Sequence, residues 1–464
     1  MLSTYKMHEK VEPRVGTTTP TRPRLSFAKT AIVVLSSLLI LGTLLHPTSR
    51  CHHPFSKAYS HFHPLSVEER VHKILSKTPL IDGHNDFAIF IRALYNNHIY
   101  NENFTDPFEN GGLKMHVDLP RLRAGKNGGA FWSVFTPCPE NGTDYSDENY
   151  APSVQLTLQQ IDLMTRLQNA YAKDFSGIPV DSEAALAAFK QGKLISPLGI
   201  EGLHQIGNSV ANLRNYYALG VRYATLTHNC GNLFADAALW ENPFRKAPPV
   251  WNGVSPKGRQ LINEMNRIGM LVDLSHVSAD TMRDVLGGSE EWAGSKAPVM
   301  FSHSSAYAIC PHPRNVPDDV LQLVKNKNSI VMVNFSPDFI SCVDKGAENG
   351  VPEFFPENNT LAQVVSHITY IGDLIGYDHV GLGSDFDGIP STPAGLDDVS
   401  KYPDLVAELL RRGVSDEDAA KVAGGNILRV WGDVEKVAAK LQGQGGPVLE
   451  DDLATLFAED FADM

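Results

Sequence analysis

The chain has 464 residues, of which 42% are hydrophobic and 20% are charged. This composition is typical of a globular protein and excludes a collagen-like or largely disordered chain. Acidic residues outnumber basic ones and the formal net charge is -13, which argues against nucleic acid as a partner.

The first predicted element is an apolar segment near the amino terminus. Residues 1–29 form a basic segment, and residues 30–49 carry no charged side chain over the roughly 20 residues that a membrane-spanning helix needs. We favour a signal anchor with its basic end in the cytosol over a cleaved secretory signal, because no small-residue cleavage site follows. Residues 50–64, rich in His, Pro and Ser, are predicted to be a stalk. Both interpretations place the rest of the chain in an extracellular or lumenal, oxidising compartment, anchored in one case and secreted in the other.

Residues 65–442 are predicted to be one α/β domain, followed by a flexible acidic tail over 443–464. Short apolar runs that suit buried parallel strands alternate with longer amphipathic stretches. The predicted strands are 79–84, 129–135, 194–200, 221–228, 270–276, 298–303, 329–335 and 379–385. The predicted helices are 154–173, 208–219, 257–268, 279–286, 318–327 and 361–375. Eight strands with helical crossovers favour a (β/α)8 TIM-type barrel, with a doubly wound open sheet as the competing fold.

The cysteines and glycosylation sequons agree with an oxidising compartment. Cys51 lies at the edge of the predicted membrane segment, and the other four cysteines can form two disulfides whose pairing the residues alone leave open. Four sequons are present. Asn334 lies in a strand-like run and is expected to be buried and unmodified, whereas glycans are expected in loops. The expected glycan sites are Asn103, Asn141 and Asn358.

Polar residues stand where the predicted strands end. In a barrel these positions face one bowl, where the chemistry is built. A single histidine there is usually structural, but several histidines and carboxylates at one edge are hard to explain in that way. The residues are His84, Glu201, His228, His276, His303 and Asp385.

Four of these polar residues, together with Asp86, have the chemistry of metal ligands. His84 and Asp86 are two apart on an extended segment, so their side chains share a face. Glu201 can bridge two cations with its two oxygens, and His276 and His303 complete the set. Three imidazoles and two carboxylates exceed the needs of one four-coordinate zinc with an open position, and suit two cations. This donor set favours zinc over magnesium or calcium.

Four further residues are candidates for catalysis, substrate binding or structural support. One of Asp385 and Asp387 could move a proton, with the other as an orienting or structural group. His228 could donate to a developing oxyanion or cap a strand end. Arg314 could bind a carboxylate through two hydrogen bonds, or form a surface ion pair with Asp318 or Asp319.

Taken in order, ten motifs resemble those of the membrane dipeptidase (renal dipeptidase) family over about residues 65–435. They are IDGHNDF, GGAFWSVFTPC, GIEGLH, LTHNC, VDLSHVS, FSHSSA, RNVPDDVL, VMVNF, GSDFDG and DVSKYPDLVAELLRRG. The resemblance implies a (β/α)8 metal-dependent hydrolase that cleaves dipeptides with two zinc ions, bridged by a carboxylate and a hydroxide. It also implies a homodimer.

The resemblance assigns roles residue by residue. His84 and Asp86 match the ligands of one zinc, His276 and His303 those of the other, and Glu201 the bridge. In addition, His228 matches the group that binds the substrate carbonyl, Arg314 the group that binds the terminal carboxylate, and Asp385 the general acid and base. The implied disulfides are Cys138–Cys230 and Cys310–Cys342.

Two departures from the family pattern, and two rival functions, accompany this interpretation. Phe339 stands where family members often have a tyrosine, so a phenolic contact to substrate is expected to be absent. The chain ends in EDDLATLFAEDFADM rather than an apolar lipid-anchor signal, so the amino-terminal segment is expected to replace that anchor. The rival functions are a barrel amidohydrolase acting on lactams or cyclic amides and a catalytically silent membrane receptor.

Overall fold

The computed structural model describes residues 64–178, 180–290 and 292–452. The predicted basic segment, the membrane anchor, Cys51 and the stalk up to residue 63 lie outside the described residues, as does the tail from residue 453. Within the described ranges, no helix has both the length and the apolar character needed to cross a bilayer.

Eight parallel strands close into a barrel, with β8 hydrogen-bonded to β1 and Leu382 paired with Asp82. The closed barrel confirms the predicted (β/α)8 architecture and excludes the open sheet. Each strand overlaps a predicted one, although several are shorter. The strands are β1 (Leu80–Asn85), β2 (Asn127–Ser133), β3 (Leu198–Glu201), β4 (Val221–Thr225), β5 (Leu271–Asp273), β6 (Met300–Phe301), β7 (Ile330–Val333) and β8 (Val380–Leu382).

Helices surround the barrel, and all six predicted ones are present among them. Several begin at a serine whose hydroxyl accepts the backbone N–H three residues further on, as Ser146 does from Asn149 and Ser255 does from Gly258. The helices are α1 (Val67–Leu75), α2 (Phe87–Tyr95), α3 (Glu102–Asn110), α4 (Leu119–Ala124), α5 (Asp147–Ala170), α6 (Ser182–Lys190), α7 (Val210–Ala218), α8 (Pro256–Ile268), α9 (Ala279–Leu286), α10 (Asp318–Asn326), α11 (Pro337–Ile340), α12 (Leu361–Ile375), α13 (Tyr402–Arg411), α14 (Asp416–Ala420) and α15 (Asn426–Gly443).

Large side chains fill the interior of the barrel. Trp431 of α15 packs against Phe131 of β2 with ring centroids 5.4 Å apart, and Tyr223 of β4 lies 5.7 Å from Phe131. These rings belong to one buried cluster that also contains Met332 of β7. Because the interior is packed, only the loops at the carboxyl ends of the strands are free to build a site.

Two short antiparallel hairpins enlarge the rim at the carboxyl ends. One pairs Leu239–Trp240 with Arg245–Lys246 after β4, and the other pairs Cys342–Val343 with Glu353–Phe354 after β7. The amide of Lys246 donates to the carbonyl of Asn349 at 2.8 Å and joins the two hairpins. Strands of two residues give no periodic signal, so sequence analysis did not place them.

Part of the segment predicted to be a flexible tail is bound to the barrel. The carboxylate of Asp451 accepts hydrogen bonds from the amides of Val210 and Ala211 at 2.6 and 3.0 Å and from the hydroxyl of Ser209 at 3.1 Å. The carbonyl of Leu449 accepts from the Arg214 guanidinium at 2.7 Å. A carboxylate at the start of α7 satisfies amides that have no partner within the helix, which explains why the acidic segment is held there.

The three sequons expected to carry glycans are exposed, and their glycosylation stays a prediction. Asn334, by contrast, is fully buried, as expected for a residue at the end of a barrel strand. The three exposed sequons are Asn103, Asn141 and Asn358.

Candidate active site

The predicted metal ligands converge at the carboxyl ends of the strands, and all of them are buried. Glu201 is the last residue of β3, and His84 lies near the end of β1. His276 and Asp385 have φ values of +65° and +66°, a left-handed backbone conformation that residues other than glycine rarely adopt. Such strained turns cluster at functional sites, and here they follow β5 and β8.

The two carboxylate oxygens of Glu201 face different histidines. Oε1 lies 2.9 Å from Nε2 of His276 and 3.4 Å from Nε2 of His303. Oε2 lies 3.5 Å from Nε2 of His84, which is itself 3.1 Å from Oδ2 of Asp86. His84 thus lies beside Asp86, and Nε2 of His276 lies 2.9 Å from Nε2 of His303, with Glu201 facing all three histidines. The assignment of these residues to two separate cations stays a prediction.

Each of the three candidate ligand histidines has a hydrogen-bond partner at Nδ1. His276 Nδ1 lies 2.9 Å from Oδ1 of Asn229, and His84 Nδ1 lies 2.7 Å from the hydroxyl of Tyr223. Because the amide oxygen of Asn229 only accepts, Nδ1 of His276 carries the proton and the lone pair of Nε2 faces Glu201. Partners of this kind fix the ring orientation of metal-binding histidines.

The third histidine, His303, has an equivalent support. Its Nδ1 lies 2.8 Å from the hydroxyl of Ser302, which donates to Asp273 at 2.6 Å. Sequence analysis missed this serine as well as Tyr223 and Asn229. Ser302 and Asn229 each adjoin a candidate histidine in the chain, which is a weak signal, whereas no local pattern marks Tyr223.

The electrostatics of the cluster suit cation binding. Burial and the neighbouring Arg314 lower the pKa of His276 well below its ordinary value, so its imidazole is neutral and free to act as a ligand. Burial opposes protonation of His84, but Tyr223, Glu201 and nearby Asp86 raise the pKa of His84 well above its ordinary value. The carboxylates therefore attract positive charge to this position.

The donor set fits two divalent cations. Oδ1 of Asp86 is buried without a hydrogen-bond partner among the described residues, and a buried carboxylate oxygen in that state is costly unless a cation satisfies it. Ligand atoms of His84, Glu201 and His303 lie within 4.8 Å of one another, as do those of Glu201, His228 and His276. Glu201 belongs to both groups, and the second also contains His228, which the resemblance assigns to the substrate carbonyl.

Asp385 lies beside this cluster, and a ligand atom of it is within 4.8 Å of those of His84 and Asp86. Burial, with Asp86 and Glu201 nearby, raises the pKa of Asp385 to about 7. A Cβ at Gly388 would come within 2.2 Å of Oδ2 of Asp86 and 2.7 Å of Oδ1 of Asp385, so only glycine leaves the two carboxylates their space.

Asp387 has a structural role, which is one of the roles predicted for the two aspartates of this segment. Its Oδ1 accepts a hydrogen bond from the backbone amide of His116 at 2.9 Å, which ties the turn after β8 to the segment before α4. The proton-transfer candidate of the pair is therefore Asp385.

Arg314 is buried, and its interpretation as a surface ion pair is wrong. Its side chain is 1% exposed, and Asp319 instead pairs with Arg283 at 2.7 Å. Nη2 of Arg314 makes one long hydrogen bond, of 3.5 Å, to the carbonyl of His303. Nε and Nη1 have no partner among the described residues, so they are available to a carboxylate.

His228 lies next to the metal-binding candidates rather than at an isolated strand end. Its ring centroid is 4.4 Å from that of His276, and both have a ligand atom within 4.8 Å of one of Glu201. Burial, together with His204 and Arg314, lowers the pKa of His228 well below its ordinary value. The ring is therefore neutral and can donate one N–H.

Both implied disulfides are present, Cys138–Cys230 and Cys310–Cys342, with Cα–Cα distances of 6.1 and 5.1 Å. The first joins the loops after β2 and β4, and Sγ of Cys138 lies 3.5 Å from Nδ1 of His228. The second joins the loops after β6 and β7. Each disulfide thus ties together two loops of the bowl.

Comparison with solved structures supports the fold. The probable dipeptidase PvdM from Pseudomonas aeruginosa is 23% identical, with a TM-score of 0.68 over 81% of this chain and 100% of that chain. A metallopeptidase named dipeptidase AC is 25% identical, with a TM-score of 0.62 over 77% of this chain and 99% of that chain.

Sequence comparison gives closer relatives. Dipeptidase aclJ of Aspergillus oryzae is 48% identical over 404 residues, covering 84% of this chain and 87% of the relative. Dipeptidase tcpJ of Claviceps purpurea is 44% identical over 397 residues, covering 84% and 86%. The pattern of the membrane dipeptidase family (peptidase family M19) matches residues 68–445. With the barrel and the converging ligands, these matches establish that the chain belongs to the membrane dipeptidase family and is a hydrolase of the metallopeptidase type.

Proposed function

We propose that the protein hydrolyses the peptide bond of dipeptides and that two zinc ions assist the reaction. The observation that carries the proposal is the position of Glu201, whose two oxygens face His84 on one side and His276 and His303 on the other. His84, Asp86, Glu201, His276 and His303 would hold the ions, which would supply Lewis-acid polarisation of the scissile carbonyl and lower the pKa of bound water.

Arg314 binds the carboxylate at the end of the substrate. The buried guanidinium has unpaired donors at Nε and Nη1, and one of these together with the second N–H of Nη2 forms two charge-assisted hydrogen bonds to the planar carboxylate. A cyclic amide without a carboxylate would leave these donors unpaired. The proposal therefore favours dipeptides over lactams and cyclic amides that lack this group.

Two other side chains act directly in the reaction, one as a hydrogen-bond donor and the other in proton transfer. The neutral ring of His228 donates an N–H to the oxygen of the scissile carbonyl as negative charge develops there. Asp385 accepts the proton of the attacking water and delivers it to the leaving amine. A carboxyl whose pKa lies near neutrality performs both transfers, which agrees with the raised pKa of Asp385.

A panel of dipeptides, assayed with and without a chelator and then with zinc restored, tests the proposal. We expect hydrolysis that disappears on chelation and returns with zinc, and no hydrolysis of the matching dipeptide amides. Turnover that survives complete metal removal would contradict the metal-dependent reaction. Metal binding without turnover of any substrate would favour a silent receptor.

We also propose that residues 30–49 act as a signal anchor and place the domain on the extracellular or lumenal side. The two disulfides support an oxidising compartment for the domain. In cells, protease added outside should remove the domain while an epitope tag before residue 30 stays protected. Recovery of the intact domain from the medium would instead indicate a cleaved signal. A homodimer stays a prediction.

A further inference from the structure

Arg314 has little support from polar groups for a buried cation. Among the described residues its side chain makes one hydrogen bond, the 3.5 Å contact of Nη2 with the carbonyl of His303. Burial lowers the pKa of Arg314 to about 10, and Asp385 and Glu201 act in the opposite direction through longer-range attraction. The orientation of the guanidinium in the absence of substrate must therefore depend on contacts other than hydrogen bonds.

An aromatic ring lies against that guanidinium. Cζ of Arg314 is 5.1 Å from the ring centroid of Phe339, within the range of a cation–π interaction. The ring of His312 packs on the same phenyl group, with centroids 4.6 Å apart. Burial and Arg314 lower the pKa of His312 to about 3, so this neighbour is neutral and adds no repulsion.

The ring and the guanidinium belong to different loops that are fastened together. The side-chain amide of Asn315, the residue after Arg314, donates to the carbonyl of Phe339 at 2.7 Å and to that of Cys310 at 2.8 Å. The disulfide between Cys310 and Cys342 brackets the same two loops. The phenyl ring is therefore held at a fixed place relative to the arginine.

We propose that Phe339 is a positioning residue for the recognition of the terminal carboxylate, acting through Arg314. Its ring face holds the guanidinium with Nε, Nη1 and one N–H of Nη2 free, so the substrate meets two preorganised donors on one edge of the group. The inference rests on the proposed function, because it assumes that Arg314 binds the carboxylate of a dipeptide. It also explains why phenylalanine can stand at position 339 where family members often have tyrosine. The aromatic face supports Arg314, and a phenolic hydroxyl is not required for this role.

Kinetics of three variants of the full, zinc-loaded protein test the proposal. Phe339→Leu keeps an apolar side chain but removes the ring, Phe339→Tyr keeps the ring, and Phe355→Leu is a matched control on the same loop. For alanyl-glycine we expect KM to rise about 2- to 30-fold in Phe339→Leu, the range of a desolvated cation–π contact, with little change in kcat. Phe339→Tyr and Phe355→Leu should keep the KM of the parent protein.

A binding measurement separates this inference from the proposed function. Calorimetry with N-acetylglycine, which keeps the carboxylate and the amide bond but lacks the free amino group of a dipeptide, measures binding without turnover when it is done in the Asp385→Asn background. We expect Phe339→Leu to weaken this binding by the same factor as KM, and N-acetylglycinamide to bind weakly to every variant. If no dipeptide is hydrolysed but N-acetylglycine binding still depends on the ring, the proposed function fails and the role of Phe339 stands.

Two results would overturn the role of Phe339. One is unchanged KM and unchanged N-acetylglycine affinity in Phe339→Leu. The other is a loss of kcat and zinc content in Phe339→Leu without a specific rise in KM, which would show that the ring only supports the local fold.

Discussion

Replacing Tyr223 with phenylalanine should weaken metal binding without disturbing the fold. The hydroxyl of Tyr223 lies 2.7 Å from Nδ1 of His84, and the ring is fully buried. When Nε2 of His84 binds a cation, its Nδ1 carries the proton and donates it to the hydroxyl oxygen. Phenylalanine removes this acceptor and leaves a buried N–H without a partner.

The packing around Tyr223 prevents the ring from adjusting. A Cβ at the neighbouring Gly199 would come within 2.0 Å of Cζ of Tyr223, so the ring occupies the space that this glycine leaves empty. The ring of Tyr223 also packs against that of Phe131, with centroids 5.7 Å apart. Phenylalanine keeps all of these apolar contacts, and the substitution therefore isolates the loss of one hydrogen bond.

The expected magnitude follows from the role of such partners. Removing the hydrogen-bond partner of a metal-binding histidine typically costs 10- to 100-fold in metal affinity, or about 1.4 to 2.7 kcal/mol. Zinc content and affinity should be measured by elemental analysis and by competition with a chromophoric chelator. Tyr216→Phe is a matched control, because its buried hydroxyl donates at 2.9 Å to the carbonyl of Gln205 rather than to a histidine.

Equal zinc affinity in Tyr223→Phe and the parent protein would refute this reasoning. So would an equal loss of affinity in the Tyr216→Phe control, because the effect would then come from general destabilisation rather than from the support of His84.

Three further predictions concern the bridge, the proton transfer and the carboxyl-terminal segment. Glu201→Gln has one acceptor oxygen instead of two, so elemental analysis should find fewer than two zinc ions per chain, and two would refute the bridge. Asp385→Asn should lower kcat by about 10²- to 10⁴-fold with zinc content unchanged, and near-normal turnover would exclude Asp385 from proton transfer. Asp451→Ala removes three hydrogen bonds at the start of α7 and should cost about 1 to 2 kcal/mol in urea unfolding, with activity retained. Asp452→Ala, an exposed neighbour, should be neutral, and equal effects of the two would contradict the cap.

Sequence patterns predicted the barrel well because its strands are buried on both faces. Runs such as that of β7, Ile330–Val333, are continuously apolar and are followed by helices with clear periodicity. The patterns did not identify α2, Phe87–Tyr95, whose sequence FAIFIRALY contains one charged residue and so lacks an alternation of polar and apolar faces. They also missed the binding of Asp451 to α7, because that contact joins segments far apart in the chain.

In the candidate site, too, some residues could be predicted from the sequence and others could not. Residue types at strand ends identified His84, Glu201 and His276, because parallel strands of a barrel all end at one face. Sequence patterns did not identify their supporting partners: Tyr223 looks like an ordinary strand residue until the closed barrel brings β4 and β1 together and its hydroxyl reaches His84.

By itself, the amino-acid sequence determined the kinds of donor available, their order along the chain and the alternation that leads to a barrel. Only the tertiary structure decided that the two oxygens of Glu201 face different histidines and that Arg314 is buried against Phe339 rather than exposed. The physical reason is that these properties depend on distance and burial between residues from different strands. Those quantities exist only once β8 has closed against β1 and the interior has excluded water.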